Sequence, residues 1–237
     1  MEINNQKPEP ARHGEGSLID IQEIFPTIQG EGPYLGHPSI FVRLAGCNIQ
    51  CPGCDTDYTS QRRKMHINEI CDRILQASNK KMIKLVVITG GEPLRQNIGP
   101  LIRAIRRDRF RVQIETNGII CPDAVAEMII EPTVKLVVSP KTSRIHPFIS
   151  RHAHAFKYVL NASEIDPEDG LPSTALGHKA SPRVARPAPE WLGPIYLNPM
   201  DEKSAELNER NMQAVLASCM KFGYIAGIQA HKIWNLP

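Results

Sequence analysis

The sequence has few aromatic residues, no long hydrophobic run and no strong imbalance of charge. Aromatic side chains make up 5% of its 237 residues. No apolar run approaches the roughly 18 residues that a membrane-spanning helix needs, so we expect no membrane association. The 28 basic and 25 acidic residues leave a formal net charge of +3, too small to indicate nucleic-acid binding by the field alone. Arginines cluster between residues 103 and 111, where we predict the solvated face of a helix.

The beginning of the chain is polar. Charged residues such as Lys7, Glu9 and Arg12 occur there, without the apolar segment of a secretory signal. Six cysteines without such a signal indicate a reducing compartment, where disulfides are rare, so we expect a cytoplasmic protein. Proline and glycine recur among residues 1–19, which we predict to be a flexible arm before one domain over residues 20–237.

Three of the cysteines stand close together. Cys47, Cys51 and Cys54 form a Cys-x-x-x-Cys-x-x-Cys array directly after the apolar run at residues 40–44. Three thiolates can hold three irons of a [4Fe–4S] cube and leave the fourth iron open to a further molecule. The spacing therefore favours chemistry at an iron–sulfur cluster over a purely structural role.

Two alternatives remain open for this array. A structural zinc site usually takes four ligands, commonly two Cys-x-x-Cys pairs, and this chain has one such pair. A dithiol redox site would use Cys51 and Cys54 with a lowered thiol pKa, but it leaves Cys47 without a role. The other cysteines are isolated in apolar patterns and are predicted not to be ligands: Cys71, Cys121 and Cys219.

Strand-like and helix-like segments alternate along the chain. Apolar runs predict buried strands at residues 40–44, 84–88, 111–115, 134–138, 156–160 and 195–197, with a last strand at 224–228. Amphipathic patterns between them predict helices, one of which places Cys71 on its core face. Such alternation is typical of a parallel sheet, and a complete barrel takes eight units and about 250 residues. Because the chain has room for about six units, we predict an α/β fold, a partial (β/α)6-type open barrel.

The alternating pattern breaks over residues 162–194. Prolines recur through this stretch and forbid a continuous helix or a central strand. We therefore predict an irregular, proline-rich insertion. Its sequence leaves two roles open, a cap over the site and a subunit contact.

Four polar or glycine-containing motifs each follow directly on a predicted strand. They are the cysteine array, Thr-Gly-Gly-Glu-Pro at 89–93, Thr-Asn-Gly at 116–118 and Ser-Pro-Lys at 139–141. In a (β/α) barrel the carboxyl ends of the strands form one rim, where catalytic groups converge. The sequence therefore predicts a single site built from four rim loops.

These motifs, together with residues 23–32, Arg43 and residues 229–237, closely resemble those of the 7-carboxy-7-deazaguanine synthases, a family of radical S-adenosylmethionine (SAM) enzymes. The resemblance covers residues 21–161 and 195–237 and leaves the insertion out. It implies a barrel of the radical SAM kind and a lyase that converts 6-carboxy-5,6,7,8-tetrahydropterin to 7-carboxy-7-deazaguanine with loss of ammonia. That product is a precursor of queuosine and other 7-deazapurines.

The resemblance also implies cofactors and partners. A [4Fe–4S] cluster, SAM and Mg²⁺ would be bound, and an external one-electron donor of the flavodoxin kind would reduce the cluster. The electron would cleave SAM at the open iron, and the 5′-deoxyadenosyl radical formed would take a hydrogen atom from the pterin. The family further implies a homodimer and no nucleic-acid partner.

Carried over position by position, the resemblance implies three sets of site residues. The metal ligands would be Cys47, Cys51 and Cys54 for the cluster and the Thr56 hydroxyl for Mg²⁺, which favours oxygen ligands. The substrate contacts would be Ile28, Gln29, Gly30, Arg43, Thr89 and Pro237. The SAM contacts would be Gly53, Gly91, Ser139, Pro140 and Lys141.

Two of these implied substrate contacts, Arg43 and Pro237, also suit the substrate on physical grounds. The planar guanidinium of Arg43 suits a carboxylate, which it can bind through two parallel donors. Pro237 fixes its own φ, so its α-carboxylate would be presented to the N–H donors of a pterin with little residual freedom.

Two positions depart from the family pattern. An aromatic residue usually precedes the third cysteine, beside the adenine of SAM, and here that residue is Gly53, which leaves only a backbone contact. Asn198 stands where a Gln-Pro segment near SAM is usual. The nearest alternative function is a glycyl-radical-enzyme activase, which shares the cysteine spacing but acts on a protein. A non-catalytic zinc or dithiol protein is the alternative from another class.

Overall fold

The computed structural model describes residues 4–178 and 183–236, in which strands and helices alternate as the sequence predicts. The strands are Leu18–Ile28 (β1), Pro38–Leu44 (β2), Arg63–His66 (β3), Leu85–Gly90 (β4), Arg111–Thr116 (β5), Val134–Val138 (β6), Ala155–Leu160 (β7), Ile195–Pro199 (β8) and Ile225–Ala226 (β9). The helices are Ile67–Ala77 (α1), Gly99–Arg107 (α2), Asp123–Ile129 (α3), Pro147–His152 (α4), Ala205–Phe222 (α5) and Ala230–Ile233 (α6).

The strands of the described residues form one sheet in the order β3-β1-β2-β4-β5-β6-β7-β8-β9. From β2 onward, neighbouring strands are parallel. The two outer strands β3 and β9 are the edges of the sheet, so the barrel is open. This is the partial βα barrel that the sequence predicts.

The parallel strands lie where the apolar runs predict them. The centre of β4 is typical, because Val86, Val87 and Ile88 are all fully buried. A strand packed on both faces reads as a continuous apolar run rather than an alternating one, which is why these strands could be predicted. The long helix α5 ends at Phe222, and the following Gly223 adopts the left-handed conformation with φ of 78°.

Strand β1 was not predicted, and residues 40–44 are therefore not the first strand. Leu18–Ile28 pairs antiparallel with β2 along most of its length, although it contains Pro26. Pairing with β3 involves only residues 18–21, so the second half of β1 is an edge, where a proline costs no ladder hydrogen bond. The edge strand β3, Arg-Lys-Met-His, was missed because charge at an edge hides a strand pattern.

The last strand is shorter than predicted. The expected strand at residues 224–228 is reduced to Ile225–Ala226, which pairs with Tyr196 and Leu197 of β8. The chain then leaves the sheet through residues 227–229 and forms the short helix α6. Trp234 after this helix is half exposed and not a core residue.

The N-terminal residues differ from the flexible arm predicted for residues 1–19. Residues 4–12, which we call the N-terminal strap, contain no helix or strand but lie along the cysteine loop. The Asn4 N–H donates to the carbonyl of Pro52 at 3.0 Å, and the Glu9 N–H donates to that of Cys47 at 2.7 Å. Strand β1 then begins at residue 18. The strap is therefore part of the packed domain.

The insertion is irregular in its described parts, residues 162–178 and 183–194. These residues contain no helix or strand, only two isolated bridges, Ile165 to Pro172 and Ala175 to His178. The insertion nevertheless contributes to the core, since Leu171 and Val184 are buried against it. It is a packed attachment to the barrel and not a free loop.

The arginine-rich segment is a helix face only in part: Arg103, Arg106 and Arg107 lie on α2, whereas Arg109 follows the helix and Arg111 begins β5. Leu101, Ile102 and Ile105 of α2 are buried, while Arg106 pairs with Glu131 at 2.8 Å beyond α3. Within residues 4–178 and 183–236, none of the helices has the length and apolarity needed to cross a membrane.

Candidate active site

A cavity of about 980 Å³ opens at the carboxyl ends of the parallel strands. All four rim motifs contribute to its wall, as the barrel geometry predicts. The predicted site residues that line it are Ile28, Gln29, Gly30, Arg43, Cys47, Cys51, Gly53, Cys54, Thr56, Thr89, Gly91, Ser139 and Lys141. Pro140 is buried in the same loop and does not line the cavity. Pro237 lies outside the described residues.

The three clustered cysteines share this cavity and are free thiols. Burial raises the pKa of Cys47 to about 12 and that of Cys51 to about 11. A dithiol redox site needs a lowered thiol pKa, so this environment speaks against that alternative. The remaining cysteines stand elsewhere: Cys71 and Cys121 pack beside the core and Cys219 belongs to it.

The cysteines fit a cluster better than a single metal ion. No group of three His, Cys, Asp or Glu side chains in the described part of the chain is placed to hold one ion. A [4Fe–4S] cube takes its three thiolates on three different irons, so the sulfurs need not converge on a point. The arrangement, three free thiols on one large cavity, suits such a cube.

The Thr-Gly-Gly-Glu-Pro loop is pressed against the cysteine loop. A Cβ atom on Gly91 would lie 2.4 Å from the carbonyl oxygen of Gly46 and 2.8 Å from Cβ of Cys47. The Glu92 N–H donates to that same Gly46 oxygen at 3.0 Å. Only glycine allows this approach at position 91, so the motif keeps its backbone beside the cysteines.

Glu92 joins the loop after β4 to the end of β5, a role that the sequence did not reveal. Its side chain is fully buried and accepts from Thr116 Oγ1 at 2.7 Å and from the N–H groups of Asn117 and Leu94 at 2.7 and 2.9 Å. Burial raises the pKa of Glu92 to about 7, although the three donors favour the carboxylate. Glu92 thus fixes the loop after β4 to the loop after β5.

The Ser-Pro-Lys loop places an ammonium group beside the cysteines. Lys141 Nζ donates to the carbonyl oxygen of Ser139 at 2.9 Å. Burial holds the pKa of Lys141 below its usual value, against the attraction of Cys51 and Cys54. Lys141 is thus a donor on the cysteine side of the cavity.

Arg43 stands on another part of the wall with spare donors. Its guanidinium pairs with Glu23 and lies 5.3 Å from the ring centroid of Phe25. Its Nε is buried and finds no hydrogen-bond partner in the part of the chain that the structure describes. A buried donor without a partner is costly, so this position suits a ligand that brings an acceptor.

A buried charge network also lines the cavity, and none of its charged members was among the predicted site residues. Lys157 of β7 pairs with Glu31, and its Nζ is 3.7 Å from Oε2 of Glu115. Gln29 Nε2 donates to the other oxygen of Glu115 at 2.9 Å. The available signal was a lysine inside an apolar run, since a buried charge needs a partner.

The network keeps its charges. Burial disfavours ionisation of Glu31, but attraction to Lys157 outweighs it and holds the pKa of Glu31 below its usual value. Burial likewise opposes the charge on Lys157, and the carboxylates of Glu115 and Glu31 reverse this and raise its pKa. The wall therefore presents a fixed, charged surface to a polar ligand.

Helix α6, which follows the last strand β9, contacts the segment that follows β1. The Ala230 N–H donates to the carbonyl of Gly30 at 3.0 Å, and a Cβ atom on Gly30 would lie 2.7 Å from Nδ1 of His231. Lys232 Nζ reaches Asp55 of the cysteine loop at 2.9 Å and Asp201 after β8 at 3.6 Å. By contrast, Asn198 is fully buried in β8 and away from the cavity wall.

Comparisons with known proteins place the chain among relatives. Residues 42–176, more than half of the chain, match the model of the radical SAM superfamily. A 7-carboxy-7-deazaguanine synthase of Rhodospirillum rubrum is 41% identical over 97% of this chain and 96% of its own length. A 7-carboxy-7-deazaguanine synthase of Rickettsia prowazekii is 33% identical over 94% of this chain and 91% of its own length. The crystal structure of QueE from Escherichia coli shares the fold, with a TM-score of 0.62 and 21% identity over 90% of this chain and 95% of that one.

Proposed function

The chain belongs to the 7-carboxy-7-deazaguanine synthases of the radical SAM superfamily, and from that membership we propose how its cavity is divided between cofactors and substrate. It is a radical SAM lyase of 7-deazapurine biosynthesis that uses a [4Fe–4S] cluster and SAM. The pterin 6-carboxy-5,6,7,8-tetrahydropterin is the substrate, and 7-carboxy-7-deazaguanine is the product. The relatives named above favour this function over the activase and the zinc or dithiol alternatives.

The cysteine side of the cavity holds the cofactors in this proposal. Cys47, Cys51 and Cys54 ligate the cluster, because they are the free thiols on the cavity wall. When bound, the cluster and SAM supply one-electron cleavage of a carbon–sulfur bond and a radical that takes a hydrogen atom from the substrate.

The SAM contacts come from the neighbouring rim loops. Gly53, Gly91 and Ser139 offer backbone groups, and Lys141 offers an ammonium group for a carboxylate. Pro140 is buried in the loop after β6, and its fixed φ limits the conformations of that loop.

The opposite side holds the pterin. Arg43 binds the carboxylate of the pterin. Its buried Nε supports this assignment, because this donor finds no hydrogen-bond partner among the described residues. Backbone groups of residues 28–30 and the Thr89 hydroxyl read the pterin edge, and the Glu115 carboxylate accepts from pterin N–H groups. Lys157 and Gln29 hold Glu115 in place as positioning residues.

Thr56 ligates Mg²⁺ between the two sides. Thr56 lines the cavity two positions after Cys54. Its backbone carbonyl accepts a hydrogen bond from Nε2 of Gln6 at 2.9 Å. A hydroxyl is an oxygen ligand of the kind that Mg²⁺ takes, with water and substrate oxygens completing the shell.

The remaining assignments concern partners and place. We infer an external one-electron donor of the flavodoxin kind, a cytoplasmic location and a homodimer. Exposed apolar residues at the β9 edge support the dimer, with Met220 of α5 89% exposed and Ile225 of β9 42% exposed.

The observation that carries the proposal is that three free thiols and the predicted rim residues share one cavity. It is tested by anaerobic reconstitution with iron and sulfide, followed by an assay with dithionite, SAM, Mg²⁺ and the carboxylated tetrahydropterin. We expect broad absorption near ~400 nm and formation of the deazaguanine.

Matched serine variants locate the ligands. Serine at Cys47, Cys51 or Cys54 should abolish cluster loading, while Cys71→Ser and Cys219→Ser should load normally, because their thiols lie off the cavity. Full loading of Cys51→Ser would contradict the ligand assignment. A protein that loads its cluster but forms no deazaguanine from the pterin would contradict the proposed substrate.

A further inference from the structure

In its described parts, residues 162–178 and 183–194, the insertion reaches the cavity through a tight turn over residues 175–178 that we call the insertion turn. The His178 N–H donates to the carbonyl of Ala175 at 2.9 Å. Between them, Leu176 and Gly177 both have positive φ, 52° and 74°. A two-residue turn with both central residues left-handed is a type I′ turn.

Leucine is an unfavourable residue at such a position. Its Cβ atom crowds the backbone in the left-handed region, which is why asparagine, aspartate and glycine dominate there. A strained residue persists where its surroundings over-determine it, and such residues concentrate at functional sites. The strain on Leu176 therefore calls for a reason in its environment.

The base of the turn is firmly held. The Ser173 N–H donates to the carbonyl of Glu164 at 2.7 Å, and the Val184 N–H donates to that of Ser173 at 2.9 Å. Ala175 and Val184 are buried in the core. The strained tip is thus mounted on a rigid base and its position is fixed before any ligand binds.

The tip is seated on the cysteine loop. The Gly53 N–H donates to the carbonyl of Leu176 at 2.9 Å, and Gly177 lies over Pro52, which a Cβ atom would meet at 3.6 Å. Leu176 lines the cavity together with Cys51, Gly53 and Cys54. Among the described residues of the insertion, Leu176 is the one that lines the cavity.

The insertion also holds the second loop to which SAM contacts are assigned. The Ala185 N–H donates to the carbonyl of Thr142 at 2.8 Å, directly after the Ser139–Lys141 motif. The carbonyl of Ala185 in turn accepts from the Tyr158 hydroxyl at 2.8 Å. The insertion therefore bridges the cysteine loop and the loop after β6.

This placement determines which ligand the turn would meet. In the proposed function Cys51 and Cys54 would hold the cluster and SAM would bind at its open iron, so the wall beside these cysteines would meet SAM rather than the pterin. Gly53 has no side chain, so position 53 adds no apolar surface to the wall beside Cys54. The adenosyl group has a flat apolar face, and an aliphatic side chain packed on it removes apolar area from water.

We propose that the insertion turn is part of the SAM site and that the Leu176 side chain packs against the adenosyl group. The proposal rests on the proposed function, since it assumes that the cysteines hold the cluster to which SAM binds. It gives the insertion a role in cofactor binding and explains why a strained leucine is kept at the tip.

The test is equilibrium dialysis of SAM with anaerobically reconstituted protein, with the cluster left oxidised so that SAM is not cleaved. Leu176→Gly removes the side chain and relieves the left-handed strain. We expect SAM to bind about tenfold more weakly, from the apolar area lost. Iron content should stay at the wild-type level, and the midpoint of thermal unfolding should stay unchanged or rise.

Two further variants are matched to this one. Leu176→Met conserves the volume and should keep the SAM affinity within about threefold. Leu192→Gly removes a leucine from the same insertion that is 96% exposed, and it should bind SAM as the wild type does. If Leu176→Gly fails to fold, Leu176→Asn decides, because asparagine tolerates the left-handed conformation and should also bind SAM weakly.

The outcomes separate the two levels of inference. Wild-type affinity for SAM in Leu176→Gly and Leu176→Asn would overturn the assignment of the turn. Loss of iron from Leu176→Gly would mean that the turn supports the cluster rather than SAM, and this result would also overturn the assignment. A wild-type protein that takes up no cluster and binds no SAM would instead overturn the proposed function on which the assignment rests.

Discussion

The N-terminal strap and the insertion turn hold the same cysteine loop from outside the barrel, but by different means. The strap uses the side-chain amides of Asn4 and Gln6 and two backbone bonds, to Cys47 and Pro52, so its contacts are spread from Cys47 to Thr59. The turn uses one backbone bond, from Gly53 to Leu176, and a strained conformation. The strap therefore sets the shape of the loop, whereas the turn completes the surface that faces the cavity.

The amide of Gln6 shows how the strap works. Its Nε2 donates to the carbonyl of Thr56, and its Oε1 accepts from the N–H of Tyr58 at 2.8 Å and from Oγ1 of Thr59 at 3.0 Å. Asn4 Nδ2 donates to the carbonyl of Cys51 at 3.1 Å and to the Tyr58 hydroxyl at 3.2 Å. These are neutral hydrogen bonds made in a part-buried setting, where an unmade bond is costly.

The largest expected effect concerns Arg95, which ties the strap to the barrel. Its side chain is 1% exposed and donates to the carbonyls of Pro10 at 3.1 Å and Ala45 at 3.0 Å, with Glu9 at 3.3 Å. Arg95→Met leaves these acceptors without their donor, so we expect the free energy of unfolding to fall by about 3 kcal/mol. Urea unfolding of the cluster-free protein measures it.

Arg103→Met is the matched control for that variant. Arg103 is 58% exposed and lies 3.8 Å from Glu127, so its loss should change the free energy of unfolding by under about 0.5 kcal/mol. Equal effects of the two substitutions would show that the strap is not anchored through Arg95.

An intermediate effect is expected for Gln6→Glu, which keeps the size of the side chain and replaces its donor. The new carboxylate oxygen would face the carbonyl of Thr56 and Oδ1 of Asn4, both acceptors. We expect the free energy needed to open the cysteine loop to fall by about 1–2 kcal/mol. Iron should then be released to a chelator roughly tenfold faster. Iron release is followed by the loss of absorbance near ~400 nm.

Lys7→Ala is the control within the strap, because Lys7 is exposed. It should release iron as the wild type does. If Gln6→Glu also keeps its iron, the strap does not shape the loop, and the contrast with the insertion turn disappears.

The smallest effect expected is the dependence of stability on the charge of Glu9. The hydrogen bond from Arg62 and the charges of Arg95 and Arg62 hold the pKa of Glu9 below its ordinary value of 4.5, against a smaller effect of burial. A lowered folded-state pKa means that the stabilisation is present above pH 4.5 and is lost as the pH falls through the folded pKa. For a pair that is largely open to solvent this amounts to under about 1 kcal/mol.

Wild type and Glu9→Gln should therefore differ slightly at pH 7 in urea unfolding and converge once the pH falls below the lowered, folded-state pKa of Glu9. A difference of several kcal/mol at pH 7 would mean that ion pairing, and not the neutral amides, holds the strap.

The sequence predicted the parts of the fold in which burial alone decides the residues. Strands such as β4 and β6 are buried on both faces, so their apolar runs identify them. Strands β1 and β3 could not be predicted, because Pro26 and the charged residues of β3 are tolerated only at edges, and edges are a property of the whole sheet.

The site shows the same division. The cysteine array and the glycine motifs were predictable, because their residue types are required locally. The partners of Lys157 lie 126 positions away at Glu31 and 42 positions away (157 − 115) at Glu115 of β5, so only the folded chain brings them together. The strap was predicted to be flexible because its hydrogen bonds come from Asn4 and Gln6, residues equally common in loops.

The bridge made by α6 has a consequence for the order in which the molecule assembles. Ala230 and Gly30, joined by a hydrogen bond, are 200 positions apart (230 − 30), and contacts of such separation form late because long loops must close first. The strap, the cysteine loop and Arg95 all lie within the first 95 positions. On the ribosome, the cysteine loop can thus adopt its shape while the barrel is still open, and a cluster can reach it from the side that α6 later closes.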